Sequence, residues 1–282
     1  MNEKVAVIGA GTMGLDIAQA FAMAGAEVTV RDITEEIVAR SRKRLENSLA
    51  KRVEKGKMTP EEQQGILGRM TFTTRLEDCA GVDLVVEAAV EKAEIKKELF
   101  RQLDAICRED AILASNTSSI SITDIASATQ HPERVVGMHF FNPATVMKLV
   151  ELIRGVFTSD AVYARARALA EAAGKTPVSV NECPGFVVNR LLIPMINEAI
   201  GLWAEGVATK EDIDTAMKLG CNHPMGPLTL ADMIGLDVCL FIMDTLYTET
   251  CDSKYRAHTK LRQLVRAGLL GRKTGRGIYD YN

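Results

Sequence analysis

The stretch "IGAGTMG" constrains this chain more than any other. It lies between a β-branched run, "KVAVIG", and a helical pattern, "TMGLDIAQAFAMAG", and it spaces Gly9, Gly11 and Gly14 as GxGxxG. A turn that leaves a strand and opens a helix has three places where a Cβ is costly. Gly9 permits the tight turn, Gly11 lets a pyrophosphate approach the backbone at the helix N-terminus, and Gly14 lets helix and strand pack closely. The second strand ends "TVRD", which puts Asp32 roughly 20 residues past the loop, as a dinucleotide site requires. A carboxylate there binds both ribose hydroxyls and repels a 2′-phosphate, so NAD is expected over NADP. Arg31 is the neighbouring cation that works against that preference.

The pattern around the loop extends it into a fold. "AEVTVRD", "VDLVVEA", "AILASN" and "RVVGMHF" read as further strands, and Glu35 to Lys55 and "EIKKELFRQLDAIC" as helices. Nearly continuous Val, Ile and Ala suits a parallel sheet covered on both faces. Alternating strand and helix gives an α/β class, a Rossmann-type doubly wound, mostly parallel sheet. At Pro184 and Gly185 the texture changes to helices only. The expected division is residues 1–184, binding the dinucleotide, and 185–282, a smaller all-helical domain for substrate and dimerisation. Phe186 to Glu205 reads as one apolar helix, with a kink expected at Pro194. Thr209 with Asp212 resembles a capping box. Leu191, Ile193, Met195, Ile196, Leu202 and Trp203 exceed what a small domain buries, and a second chain would cover the excess.

Bulk properties narrow the function classes. A net charge of −3 gives no overall attraction to nucleic acid or anionic membrane. The six cysteines form no CxxC pair, which fits a reducing compartment, and the cytoplasm is the expected location. The chain opens on a strand-like run with no signal-peptide pattern before it, and no apolar run is long enough to span a membrane. From Arg40 to Lys57, eight basic residues stand against two acidic ones. This is either a solvated helix face or a docking surface for an anionic ligand.

The chemistry is expected in "GMHFFNPATVMKLVELI". "NPAT" is turn chemistry between two strands. An antiparallel hairpin centred near Thr145 would set His139 opposite Glu151. A carboxylate accepting the Nδ1 proton fixes the imidazole tautomer and leaves Nε2 as the base. The alternative is a structural pair. His131, His223 and His258 sit in turn-like or polar surroundings and read as structural or solvated. "SNTSS", Ser115 to Ser119, follows the strand "AILA" and so lies where open α/β sheets bind ligands. Ser121 and Asp124 then cap a helix. Asn189, an amide in an apolar helical run, is expected to face the same cleft. No metal site is expected, since there is no HExxH, Cys/His cluster or acidic calcium loop. Ser118 with His139 and Glu151 imitates a hydrolase triad, but no GxSxG elbow accompanies it.

Taken with "ASNTSS", "GMHFFNP", "MKLVEL", "PGFVVNRLL", "NHPMGPL" and the terminal "GRKTGRGIYDY", the chain resembles the short-chain L-3-hydroxyacyl-CoA dehydrogenases. The resemblance implies His139 as catalytic base and Glu151 as its orienting partner. It implies Ser118 and Asn189 as the polar groups contacting substrate and transition state. Asp32, Glu91, Lys96 and Asn142 stand where that family contacts NAD. Ser48, Lys51 and Lys55, on the basic helix, stand where it contacts the coenzyme A portion. It further implies an acyl-CoA substrate and a homodimer built through the helical domain. Two rivals remain: a nicotinamide dehydrogenase of a free hydroxy or sugar acid, and a non-catalytic NAD-binding protein. The second has no need of a proton shuttle.

Overall fold

The structure, a computed structural model, describes residues 1–281. The chain divides into two compact units, Met1–Glu182 and the segment from Cys183 onward.

Among the described residues, the first unit is built on eight strands: β1 (Lys4–Ile8), β2 (Glu27–Arg31), β3 (Met70–Thr73), β4 (Leu84–Glu87), β5 (Ile112–Ser115), β6 (Val135–Phe140), β7 (Leu149–Arg154) and β8 (Thr176–Asn181). Their order in the sheet is β3-β2-β1-β4-β5-β6-β7-β8. The first six pair in parallel, β7 turns back against β6, and β8 runs parallel to β7. Helices α1 (Thr12–Met23), α2 (Glu35–Glu54), α3 (Pro60–Gly68), α4 (Ala93–Ile106), α5 (Ile122–Ala126) and α6 (Asp160–Ala172) complete the unit. Strands β4, β5 and β6 are buried throughout their lengths, as the continuous apolar runs require. Strand order reverses between β1 and β4, which opens a crevice at their C-terminal ends.

Two strands have no counterpart in the sequence reading, and both lie at sheet edges. β3 is "MTFT" and β8 is "TPVSVN", the latter with four of six residues exposed. An edge strand packs on few neighbours, so it carries no apolar run, and it tolerates Pro177 because one row of its backbone groups is unpaired. The helix α3 was also unmarked. Its start is a reciprocal capping box of Thr59 and Glu62 with proline in the first turn.

The second unit holds α7 (Val188–Ala204), α8 (Lys210–Gly220), α9 (Pro227–Ile234), α10 (Leu236–Thr250) and α11 (Thr259–Arg266) around its own apolar core. The helix α7 starts later than expected because Gly185 (φ 72°) and Phe186 (φ 51°) are both left-handed. It continues through Pro194. Thr209 caps α8, but the box is not reciprocal: its hydroxyl donates to Asp212 Oδ2 at 2.7 Å instead.

Asp232 of α9, 1% exposed, holds the C-terminal segment. Its carboxylate accepts from Ile278 N (2.9 Å), Tyr279 N (2.8 Å) and the Tyr281 hydroxyl (3.1 Å). Asp232→Ala strands two backbone donors in or near the core. It is expected to remove about 2–5 kcal/mol of stability, measured by denaturant unfolding. A loss below about 0.5 kcal/mol would contradict this anchoring role.

Candidate active site

The three loop glycines differ in what demands them. Gly9 has φ 106°, and a Cβ on it would lie 2.6 Å from the Ala88 carbonyl oxygen. A Cβ on Gly14 would lie 1.8 Å from the Gly9 oxygen, so only glycine lets α1 pack on β1. A Cβ on Gly11 would meet no protein atom within 4 Å. The protein itself makes no demand at Gly11; a ligand drawn close to the backbone does. The first turn of α1 has no side-chain cap, unlike α2, α3, α5 and α6. Its amides are available to a pyrophosphate.

Asp32 ends β2 beside this loop. Its Oδ2 accepts from Ala10 N and its Oδ1 from Ile33 N, both at 2.7 Å. Arg31 is directed elsewhere, giving its Nε proton to the Thr74 carbonyl at 3.2 Å. The loop is braced by α2, through contacts that the sequence did not mark. Ser41 is buried and donates to the Ala10 carbonyl at 2.7 Å. Arg44 donates to the Gly11 carbonyl (2.9 Å) and the Thr12 hydroxyl (3.2 Å). The apolar face of α2 buries Val38, Leu45 and Leu49. On its outer face Arg40, Lys43, Arg44, Asn47, Ser48 and Lys51 line one shallow groove. Lys55 caps the end of α2 and is exposed, outside the residues lining that groove.

A buried ionic cluster occupies the C-terminal end of β4. Glu87 is fully buried and Lys96 is 1% exposed. Lys96 Nζ lies 2.6 Å from Glu87 Oε1 and 3.2 Å from Glu91 Oε2. Glu87 also accepts from Ala89 N and the Ser115 hydroxyl, both at 2.7 Å. Glu91 Oε1 gathers the "SNTSS" turn: it accepts from Thr117 Oγ1 (2.5 Å), Ser118 N (2.9 Å), Ser118 Oγ (3.3 Å) and Ser119 Oγ (3.1 Å). Burial pushes the Glu91 carboxyl up, but Lys96 and the bonds from Thr117 and Ser118 outweigh it and hold Glu91 below the usual carboxylate range. Glu87 was missed in the sequence, although it ends an apolar strand with one acid, as Glu151 interrupts another.

At the C-terminal end of β6, His139 and Glu151 are directly paired in the antiparallel register. Nδ1 of His139 lies 2.8 Å from Glu151 Oε2, with Glu151 1% exposed. The His139 ring tilts against Phe141, centroids 4.7 Å apart. Asn116 fixes this end of β6 to the serine turn by accepting from Phe140 N at 2.8 Å. The connection after β6, which carries Asn142, is pinned by Lys175, whose ammonium donates to the Ala144 and Met147 carbonyls. Asn189 is placed in the first turn of α7, in the second unit. Of the remaining histidines, His131 meets Asp104 at 3.3 Å and His258 caps α11 by accepting from Lys260 N at 3.1 Å. Among the described residues no cluster of His, Cys, Asp and Glu is arranged to hold a metal.

The glycine loop, Asp32, Glu91 and most of the serine turn thus follow β1, β2, β4 and β5, Glu87 ends β4, and His139 near the end of β6 meets Glu151 of β7, all at the C-terminal ends of the parallel strands. Residues 4–183 match the family model described as 3-hydroxyacyl-CoA dehydrogenase, NAD binding domain, and residues 185–281 match that of the C-terminal domain of the same enzymes. The chain is 54% identical to a 3-hydroxybutyryl-CoA dehydrogenase of Clostridioides difficile over 279 residues, covering 99% of both chains. It is 54% identical to a probable 3-hydroxybutyryl-CoA dehydrogenase of Deinococcus radiodurans, covering 99% of this chain and 100% of the other. The crystal structure of (S)-3-hydroxybutyryl-CoA dehydrogenase from Ralstonia eutropha superposes with a TM-score of 0.96 at 50% identity, covering 100% of both chains.

The glycine geometry separates ligand from fold. Gly11→Ala is expected to leave the melting temperature of the unliganded protein unchanged while weakening NADH binding at least about tenfold. Gly14→Ala is expected to lower the melting temperature itself. Thermal unfolding and NADH fluorescence titration check both, and a Gly11→Ala protein with unaltered NADH affinity would contradict the role given to the loop.

Proposed function

The chain belongs to the 3-hydroxyacyl-CoA dehydrogenase family and is an NAD-dependent dehydrogenase; on that premise we propose that it interconverts (S)-3-hydroxybutyryl-CoA and acetoacetyl-CoA through a His139–Glu151 proton shuttle. The observation that carries this reading is the 2.8 Å contact between two buried side chains at the ligand edge of the sheet. Bound NAD supplies a hydride acceptor at C4 of its nicotinamide. In oxidation, Nε2 of His139 takes the C3 hydroxyl proton as the C3 hydrogen departs with its electron pair. In reduction, the same nitrogen returns the proton to the C3 oxygen. Glu151 accepts from Nδ1, orients the ring and stabilises the imidazolium between these events. Ser118 and Asn189 hold the polar end of the substrate near C3.

Gly9, Gly11, Gly14, Asp32, Glu91, Lys96 and Asn142 are assigned to NAD, Lys96 acting from inside its ion cluster by fixing Glu91. Ser48, Lys51 and Lys55, all exposed on the basic end of α2, are assigned to the coenzyme A phosphates. Functionally, residues 1–184 bind the cofactor and 185–282 serve substrate contact and dimerisation. A homodimer through the helical unit would cover Leu191, 71% exposed, and Leu219, 82% exposed. The six thiols, all unbridged, suit the cytoplasm.

NADH consumption is expected to be fast with acetoacetyl-CoA and negligible with free acetoacetate. Equal rates would move the assignment to a dehydrogenase of free acids. His139→Gln should cut kcat roughly a hundred- to ten-thousandfold with NADH affinity retained. Replacing Lys51 and Lys55 together by Ala should raise the thioester KM and leave kcat near wild type. Near-normal turnover by His139→Gln would remove the shuttle.

A further inference from the structure

The glycine that opens α1 to a ligand also leaves its backbone loose, because a residue without a Cβ loses more conformational freedom than any other when it is fixed. Two side chains of α2 hold the peptides on either side of Gly11. Each of these peptides is planar and trans, so its carbonyl and the N–H that follows point in opposite directions. The Ser41 hydroxyl, donating to the Ala10 carbonyl, therefore sets the Gly11 N–H. Arg44 Nη2, donating to the Gly11 carbonyl, sets the Thr12 N–H, and Nη1 holds the Thr12 hydroxyl as well. The two braces differ in permanence. Ser41 is buried, whereas Arg44 is exposed and lines the basic groove of α2. An exposed arginine keeps one geometry only at a cost in rotamer entropy.

A guanidinium carries five N–H donors in a rigid fork. The loop takes one from each terminal nitrogen. Donors remain, Nε among them, for an acceptor in the groove assigned above to the coenzyme A phosphates. We infer that Arg44 is a positioning residue that couples the two ligand sites of this unit: a phosphate in the α2 groove fixes the fork, and the fixed fork aims the Thr12 amide for the pyrophosphate of the cofactor. The inference rests on that assignment of the groove. Each ligand then meets an arginine that the other has already ordered, so the two bind with positive cooperativity. Charge alone predicts the opposite sign. If Arg44 served only as a positive charge beside the pyrophosphate, an anion in the groove would neutralise it and repel the anionic cofactor, and NADH would bind more weakly.

The test is calorimetric titration of NADH with and without saturating adenosine 3′,5′-bisphosphate, the nucleotide end of coenzyme A. The wild-type protein is expected to bind NADH roughly three- to tenfold more tightly when the bisphosphate is present, a fraction of the effect of ordering one arginine side chain. Linkage requires NADH to tighten the bisphosphate by the same factor. Arg44→Met, which keeps a stem and loses the fork, should weaken NADH and remove the coupling. Arg44→Lys, a point charge in place of a planar fork, should lose most of the coupling. Unchanged or weaker NADH binding in the presence of the bisphosphate would overturn the inference, and so would full coupling in Arg44→Met. A bisphosphate that fails to bind, or that binds equally well when Lys51 and Lys55 are both replaced by Ala, would instead overturn the assignment of the groove, and the inference with it.

Discussion

A carboxylate with almost no exposure to water must find a partner or lose its charge. Glu151 finds His139 because the sheet changes direction at β7. Six strands run parallel, each ending at the edge where ligands bind, and the chain could continue that pattern only by crossing over again. It turns back through the loop at residues 141–148 instead. The antiparallel register then sets residue 139 against residue 151 on one face. Much of the surrounding structure serves that turn. Asn116 fixes the end of β6, Lys175 pins the loop carbonyls, and β8 covers the outer side of β7.

The same physics is used a second time at β4. Buried ion pairs gain little net stability, because desolvating both charges offsets most of their attraction. Glu87, Lys96 and Glu91 are therefore a poor device for stability alone. They fix direction instead: two acceptors and one donor, each incapable of reversing role, make donors of the Ser115 and Thr117 hydroxyls. Glu87 ends β4 and His139 is the last residue but one of β6, two strands otherwise free of charge. The dry sheet supplies rigidity, and the few charges at its edge supply orientation.

Much of this arrangement can be seen in the residues themselves. The glycine loop, Asp32 and the central strands announce themselves because backbone geometry and burial on both faces demand particular residue types. The His139–Glu151 register follows from counting outward from the "NPAT" turn. What escapes is what packing decides. β3 and β8 sit at edges and need no apolar run. Ser41 and Arg44 become loop braces only once α2 lies against the loop after β1, a relation that no local pattern encodes. The left-handed backbone at Phe186 is invisible because that residue ordinarily avoids it. Glu87 was accessible by the logic that singled out Glu151, an acid alone in an apolar strand, but its partner Lys96 lies on a helix, and no register links helix to strand.

The most direct measurement is nitrogen NMR of the His139 imidazole in the neutral form, with the protein labelled at histidine. If Glu151 orients the base as proposed, the ring is the Nδ1–H tautomer, with the Nδ1 proton shifted downfield by a strong hydrogen bond to the carboxylate. An Nε2–H tautomer would place the proton on the nitrogen that must accept it from substrate. That result would contradict the shuttle, however well the two residues are paired across the strands.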